Sequence, residues 1–390
     1  MRSQFKKDNR KEVCKQHTLL SDVIVDTFKP KTPVPHVLTE LNTTEHLRLV
    51  DNCIHLQDIT ICKTTGSILF RKVTYGKNVK RKKSFVTFKG SKIPSYQVDI
   101  HSMKRRILLI TASKSDCSIV LPNLVTSSPR YNPDPSSVVV LLACIMKVPK
   151  DDEKKWTHDD FICLKRCKPN ILQTSNHHNS TGYYASFGNK GSFDKATTSS
   201  VGQYTCKKKD NLLKQCIVNK DATKFEQCCA NEISRSVTDL STFLPNIRSI
   251  LAPVLEVAFS IQELGGKVLN LKESQASTNG CYQSSICVNA ETQEYHTEHD
   301  CTYTLISVPN QSKSKEETMR YDFLFDLTPK QVINIPLNAG VTFMFSGLFL
   351  KHRQNKSEEV STKDNTFFNI ASYGNKRLFY HIRKTLNRTK

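Results

Sequence analysis

The residues best equipped for chemistry lie in Tyr295-His296-Thr297-Glu298-His299-Asp300, with His352 well downstream. Two imidazoles and one carboxylate on one face of a divalent iron leave three coordination positions open, the arrangement of non-haem Fe(II) sites. On an extended strand, residues i and i+2 share a face. His296 and Glu298 would then project together while Thr297 points away. Asp300 shares that face if the strand continues, and it stays as the rival carboxylate. His299 falls on the opposite face and is the weaker ligand candidate. His352 would close the site from a facing strand, so the expected metal set is His296, His352 and either Glu298 or Asp300.

Strands must position these groups, and the flanking sequence reads as strands. Cys301 to Val308 follows the first histidines at once, and Val341 to His352 reads as a second run, ended by the distal histidine. Between them Tyr321-Asp322-Phe323-Leu324-Phe325-Asp326-Leu327 alternates, with Phe323, Phe325 and Leu327 on one face. Val332 to Leu337 leads through Asn338-Ala339-Gly340 into Val341, and Asn-x-Gly between two such runs is a hairpin signal. Upstream, residues 239–266 carry Phe243, Ile247, Ile250, Leu251, Val254, Ala258 and Ile261 at helical steps. This predicts a core helix packed on the sheet that follows. Residues 374–387 read as a basic amphipathic helix with Leu378, Phe379, Ile382 and Leu386 on its apolar face.

The order of pieces from about 285 to 372 is strand, His-x-carboxylate, two strands, a Pro-x-x-x-Gly turn, strand and His. It resembles the double-stranded β-helix core of the Fe(II)/2-oxoglutarate-dependent dioxygenases. The residues that carry the resemblance are His296-Thr297-Glu298 ahead of Thr302-Tyr303-Thr304-Leu305-Ile306, and Pro336 to Gly340 ahead of His352. The resemblance implies a jelly-roll core within an α+β fold, Fe(II) and 2-oxoglutarate as cofactors, and His296, Glu298 and His352 as catalytic residues. Glu298 stands where most of the family has Asp. The family also places a cation after the distal histidine to pair with the keto acid's carboxylate, and Lys363 and Arg377 are the candidates here. Some members hydroxylate bases in nucleic acid, which would suit a strongly basic chain.

The chain has 390 residues and a formal net charge of +21. That balance favours an acidic partner: nucleic acid, an anionic membrane surface or an acidic protein. From Arg71 to Arg106 there are twelve Lys or Arg and one acid, Asp99, with Lys80-Arg81-Lys82-Lys83 at the centre. This segment is either a phosphate-contacting patch or nuclear import signal, or a solvated sheet edge whose lysines block strand pairing. A non-catalytic β protein that grips nucleic acid or a partner through these strands is the alternative to the enzyme.

The fourteen cysteines do not form a finger pattern. Cys163 and Cys167 are separated by three residues and Cys228 adjoins Cys229, neither a regular zinc spacing. Met1 to Lys7 has no apolar signal core, so the expectation is an intracellular protein with free thiols. Composition divides the chain into a basic N-terminal tail (1–40), a β-rich basic region (41–168), a loop-rich Cys/Lys connector (169–232), and a helix plus β core (233–390).

Overall fold

The computed structural model describes residues 39–41, 50–61, 68–88, 90–103, 106–120, 139–147, 173–174, 181–187, 189–191, 201–203, 236, 238–244, 283–292, 303–308, 321–328, 331–338, 340–356 and 367–373. Strands dominate these segments. They are β1 (Thr39–Glu40), β2 (Cys53–Ile61), β3 (Ile68–Tyr75), β4 (Arg81–Phe88), β5 (Ser91–Val98), β6 (Ile107–Ser113), β7 (Val139–Lys147), β8 (Gln173–Thr174), β9 (Thr181–Phe187), β10 (Asn189–Gly191) and β11 (Val201–Gln203). The later strands are β12 (Gln283–Glu291), β13 (Thr304–Ser307), β14 (Tyr321–Thr328), β15 (Gln331–Pro336), β16 (Val341–Phe345), β17 (Lys351–Lys356) and β18 (Phe368–Tyr373). Helix is sparse among the described residues: α1 (Lys114–Val120), two single 3-10 turns, and residues 238–243.

Two mixed sheets carry the fold. The first runs β3-β2-β6-β7-β16-β13-β18-β12-β9-β8, with β1 on β7; the second runs β17-β14-β15-β5-β4. Neither closes on itself among the described residues. The parallel pairs are β2 with β6 and β15 with β5; the remaining pairings in these two sheets are antiparallel. Strands from the 41–168 and 233–390 regions interleave, since β7 pairs β16 and β5 pairs β15.

The sheets face one another across a single apolar core. Leu108, Ile110, Leu142, Phe343 and Phe345 enter it from the first sheet, and Phe323, Phe325, Ile333 and Ile335 from the second. The alternation read from sequence in Tyr321–Leu327 therefore points Phe323, Phe325 and Leu327 inward. β7 is buried along all nine residues, because both faces of the first sheet are covered. Its outer face meets Leu240, Phe243 and Leu244 together with Tyr303 and Met344. That is the described part of the predicted core helix; the rest of 245–266, and residues 374–387, lie outside the described residues.

Two local expectations differ from what is found. Asn338 to Gly340 does not close a hairpin: β15 belongs to the second sheet and β16 to the first. Gly340 has φ 77° and donates its N–H to the Val308 carbonyl at 2.7 Å. The turn is thus captured by the chain leaving β13, and it carries the backbone across the core. Likewise Val341 to His352 is not one strand. It breaks after Phe345, where Phe349 and Leu350 both donate to the Ser346 carbonyl, and His352 lies near the start of β17 rather than at a strand's end.

Candidate functional site

Lying on β17, opposite Phe325 of β14 in the register, His352 turns its side chain into the core and is 5% exposed. Its ring stacks on Phe323 with centroids 5.4 Å apart and planes 14° apart. Phe345, from the other sheet, meets it edge-on at 4.6 Å. Nδ1 lies 3.0 Å from the Leu350 carbonyl oxygen. A carbonyl can only accept, so Nδ1 carries a proton. In the neutral ring this makes Nε2 the nitrogen with the lone pair, the state second-shell carbonyls impose on metal-binding histidines.

Two residues along β17, on the same side, is Gln354. Its Oε1 accepts from Asn369 Nδ2 at 2.7 Å, and Asn369 lies on β18 of the first sheet. This amide pair bridges the two sheets beside His352. Asn369 is 1% exposed, and its Oδ1 is buried with no hydrogen-bond partner among the described residues. An unsatisfied buried acceptor costs on the order of 1–3 kcal/mol, so a donor brought by a bound polar group would be stabilising there.

The backbone of Gln354 also fixes the chain that leaves β12. Thr292 donates its N–H to the Gln354 carbonyl at 2.8 Å, and the Gln354 N–H donates to Thr292 Oγ1 at 2.7 Å. Thr292, the last described residue after β12, therefore lies alongside β17, the strand of His352. His296, Glu298, His299, Asp300, Lys363 and Arg377 themselves lie outside the described residues. Among the described residues no group of three or more His, Cys, Asp or Glu is gathered as a metal site.

Gln354 and Asn369 were not singled out from sequence. The only signal was the i+2 position of Gln354 relative to His352; amides have no spacing signature comparable to His-x-carboxylate.

The outer side of the second sheet carries charge at unusual depth. Arg353 is 2% exposed, and its Nη2 donates to the Thr87 carbonyl at 3.4 Å. Burial holds the Asp326 carboxyl above its ordinary range, opposed by Lys351, its cross-strand neighbour.

The basic cluster is found where the edge reading puts it and also has a feature that reading lacks. β3 and β4 are the terminal strands of their sheets, and Lys80, Arg81, Lys82 and Lys83 are all exposed. The Arg81 guanidinium sits 3.9 Å over the Tyr75 ring and 5.2 Å from that of Tyr96. Those two rings are 6.4 Å apart. Burial raises the Tyr75 hydroxyl pKa, and the hydrogen bond and charge of Arg81 oppose the rise.

The four described cysteines, Cys53, Cys117, Cys144 and Cys287, are unbridged. Burial pushes the Cys53 thiol up to about 11 and Cys117 up to about 12, which makes them poor nucleophiles. No helix among the described residues is long and apolar enough to cross a membrane. Comparison of the whole chain with protein-family models and with curated proteins found no match.

Proposed function

We propose that this protein is an Fe(II)- and 2-oxoglutarate-dependent oxygenase on a double-stranded β-helix core, hydroxylating a macromolecular substrate. Nucleic acid is the substrate class its net charge favours. The observation that carries the reading is the winding order of the last seven strands. A jelly roll passes one chain back and forth between two facing sheets. Here β16-β13-β18-β12 are consecutive neighbours in one sheet and β17-β14-β15 in the other. The flank of β17 is met by the chain leaving β12, through the Thr292–Gln354 hydrogen bonds. Such an order supports a jelly roll whose second strand carries His296 and Glu298 next to the strand of His352.

Of the implied ligands His352 alone is among the described residues, and two observations beside it support the reading. The Nδ1 proton of His352 is committed to the Leu350 carbonyl, as in a histidine that ligates through Nε2. Asn369, bonded to Gln354 two residues from His352, has a buried Oδ1 with no donor among the described residues. His296, Glu298 and His352 would hold Fe(II), with Asp300 the alternative carboxylate. Lys363 or Arg377 would pair with the distal carboxylate of 2-oxoglutarate. Iron and the keto acid together supply the oxidising power for hydroxylation when bound. The chain's own contribution is positioning: Phe323 and Phe345 fix the His352 ring and exclude water from its faces, and the Gln354–Asn369 pair ties the two sheets beside it.

The test is Fe(II)-dependent conversion of 2-oxoglutarate to succinate by the full-length protein, with Fe(II) or Mn(II) affinity measured separately. His296→Ala and His352→Ala should each abolish both, and His299→Ala should leave most of the turnover. Failure of the parent protein to bind either metal would end the enzyme reading. The binding-only alternative draws on the exposed Lys80–Lys83 cluster and expects nucleic-acid affinity with no metal affinity at all.

A further inference from the structure

The β4–β5 hairpin has two unlike faces. On one, Val86 and Ile93 pack on Leu324 and Val332 of the second sheet. This anchors the hairpin, whose other face enters the core at Val98 and Tyr96 and is open at Phe85 and Pro94. The register pairs Lys83 with Tyr96, Phe85 with Pro94 and Thr87 with Lys92. Directly paired and alternate residues share a face, so Arg81, Lys83 and Phe85 line up beside Lys92, Pro94 and Tyr96. All but the half-buried Tyr96 are exposed.

Edge protection accounts for the lysines but not for Phe85. An apolar ring on an edge strand invites unwanted pairing, yet Phe85 is 66% exposed in the middle of this face. It is flanked by cations along and across the strands. Successive same-face residues are about 7 Å apart, so Arg81 and Lys83 lead along β4 to the Phe85 ring, with Lys92 diagonally across on β5. Arg81 adds a guanidinium already held 3.9 Å over the Tyr75 ring, which leaves less ordering to be done when it meets a phosphate. A duplex hides the faces of its bases; unpaired bases expose them, and stacking on aromatic rings beside a basic track is how single strands are held.

We propose that this hairpin face binds single-stranded nucleic acid, with Phe85 as a base-stacking platform and Arg81, Lys83 and Lys92 as phosphate contacts. The proposal deepens the reading above by naming the form of the substrate. It rests on the nucleic-acid part of that reading and not on the iron chemistry.

The experiment is a fluorescence-anisotropy titration of full-length, metal-free protein with labelled single-stranded oligonucleotides and with duplexes of the same sequence. Single strands should bind more tightly. Phe85→Ala should weaken that binding about five- to 150-fold while leaving the salt slope unchanged, because no charge is lost. Lys83→Gln with Lys92→Gln should make the slope shallower by about 0.7 per phosphate contact removed. Phe85→Trp should restore tight binding. Equal or tighter binding of duplex, an unchanged affinity in Phe85→Ala, or tighter binding of an acidic peptide or phosphatidylserine vesicles would each overturn the proposal. Because metal is absent, the result is separable from the oxygenase question. Single-strand binding by a protein with no metal affinity keeps this surface and ends the enzyme reading, and turnover without single-strand binding does the reverse.

Discussion

His352 is held by its packing as firmly as by its hydrogen bond, and this allows ligand and structural roles to be separated. Phe keeps a ring between Phe323 and Phe345 but leaves the Leu350 carbonyl without the Nδ1 donor, a cost of about 1–3 kcal/mol. His352→Phe should therefore still fold cooperatively, with a lowered melting temperature, while losing all Fe(II) and Mn(II) affinity. Retained metal affinity in that variant, measured by equilibrium dialysis, would show His352 to be core alone. Asp326 offers a test by pH. Its carboxyl is raised because burial penalises the charged form more than Lys351 favours it. A carboxyl with a raised folded pKa contributes its stability below the unfolded value and loses it as pH rises through the folded one. Asp326→Asn should thus be more stable than the parent protein at pH 7, and the advantage should shrink as pH falls toward 4, in urea titrations at each pH. The sequence made His352 legible because it ends a strand-like run downstream of His296-Thr297-Glu298. It did not reveal Gln354 or Asn369, because the link between them spans two sheets and appears only once the strands are assigned.

At the scale of elements, periodicity told which side chains share a face but not which strands are partners. The runs at 321–327 and 341–345 were readable as strands because Phe and Val alternate there. Their division between sheets was not, since Asn338–Gly340 has hairpin residues yet spans the core. The same holds for β7, where eight apolar residues precede Lys147: composition alone does not name its neighbours. One glycine is needed for close approach. A Cβ on Gly76 would stand 2.5 Å from the Asp51 carbonyl oxygen and closer still to that of Val50. Gly76 itself donates to the Cys53 carbonyl, locking the end of β3 to the start of β2. Gly76→Ala should cost about 1–3 kcal/mol in thermal or urea unfolding. It should also loosen the turn that delivers Arg81 to Tyr75, and oligonucleotide affinity would report that. An unchanged melting curve would mean the 50–52 turn is free to move aside.

At the scale of the molecule, composition suggested a basic β-rich region followed by a separate core, and the sheets draw on both. β6 and β7 lie in the middle of the first sheet, and Ile110, Leu142 and Phe345 share one core. Residues 233–390 expressed alone should therefore fail to give a cooperative unfolding transition, and co-expression with 1–232 should rescue it. A folded, monomeric 233–390 fragment would contradict the shared core. The long reach of this pairing has a consequence during synthesis. β7 finds β6 on one side almost at once, but residues 143–147 of its other side pair only with β16. About 190 residues separate the two strands, which at 5–20 residues per second is roughly 10–40 s of translation. For that interval the nascent chain carries a strand apolar up to Lys147 with an open edge, the feature most prone to wrong pairing. The protein's yield in a cell should depend on what shields β7 while β16 is still being made.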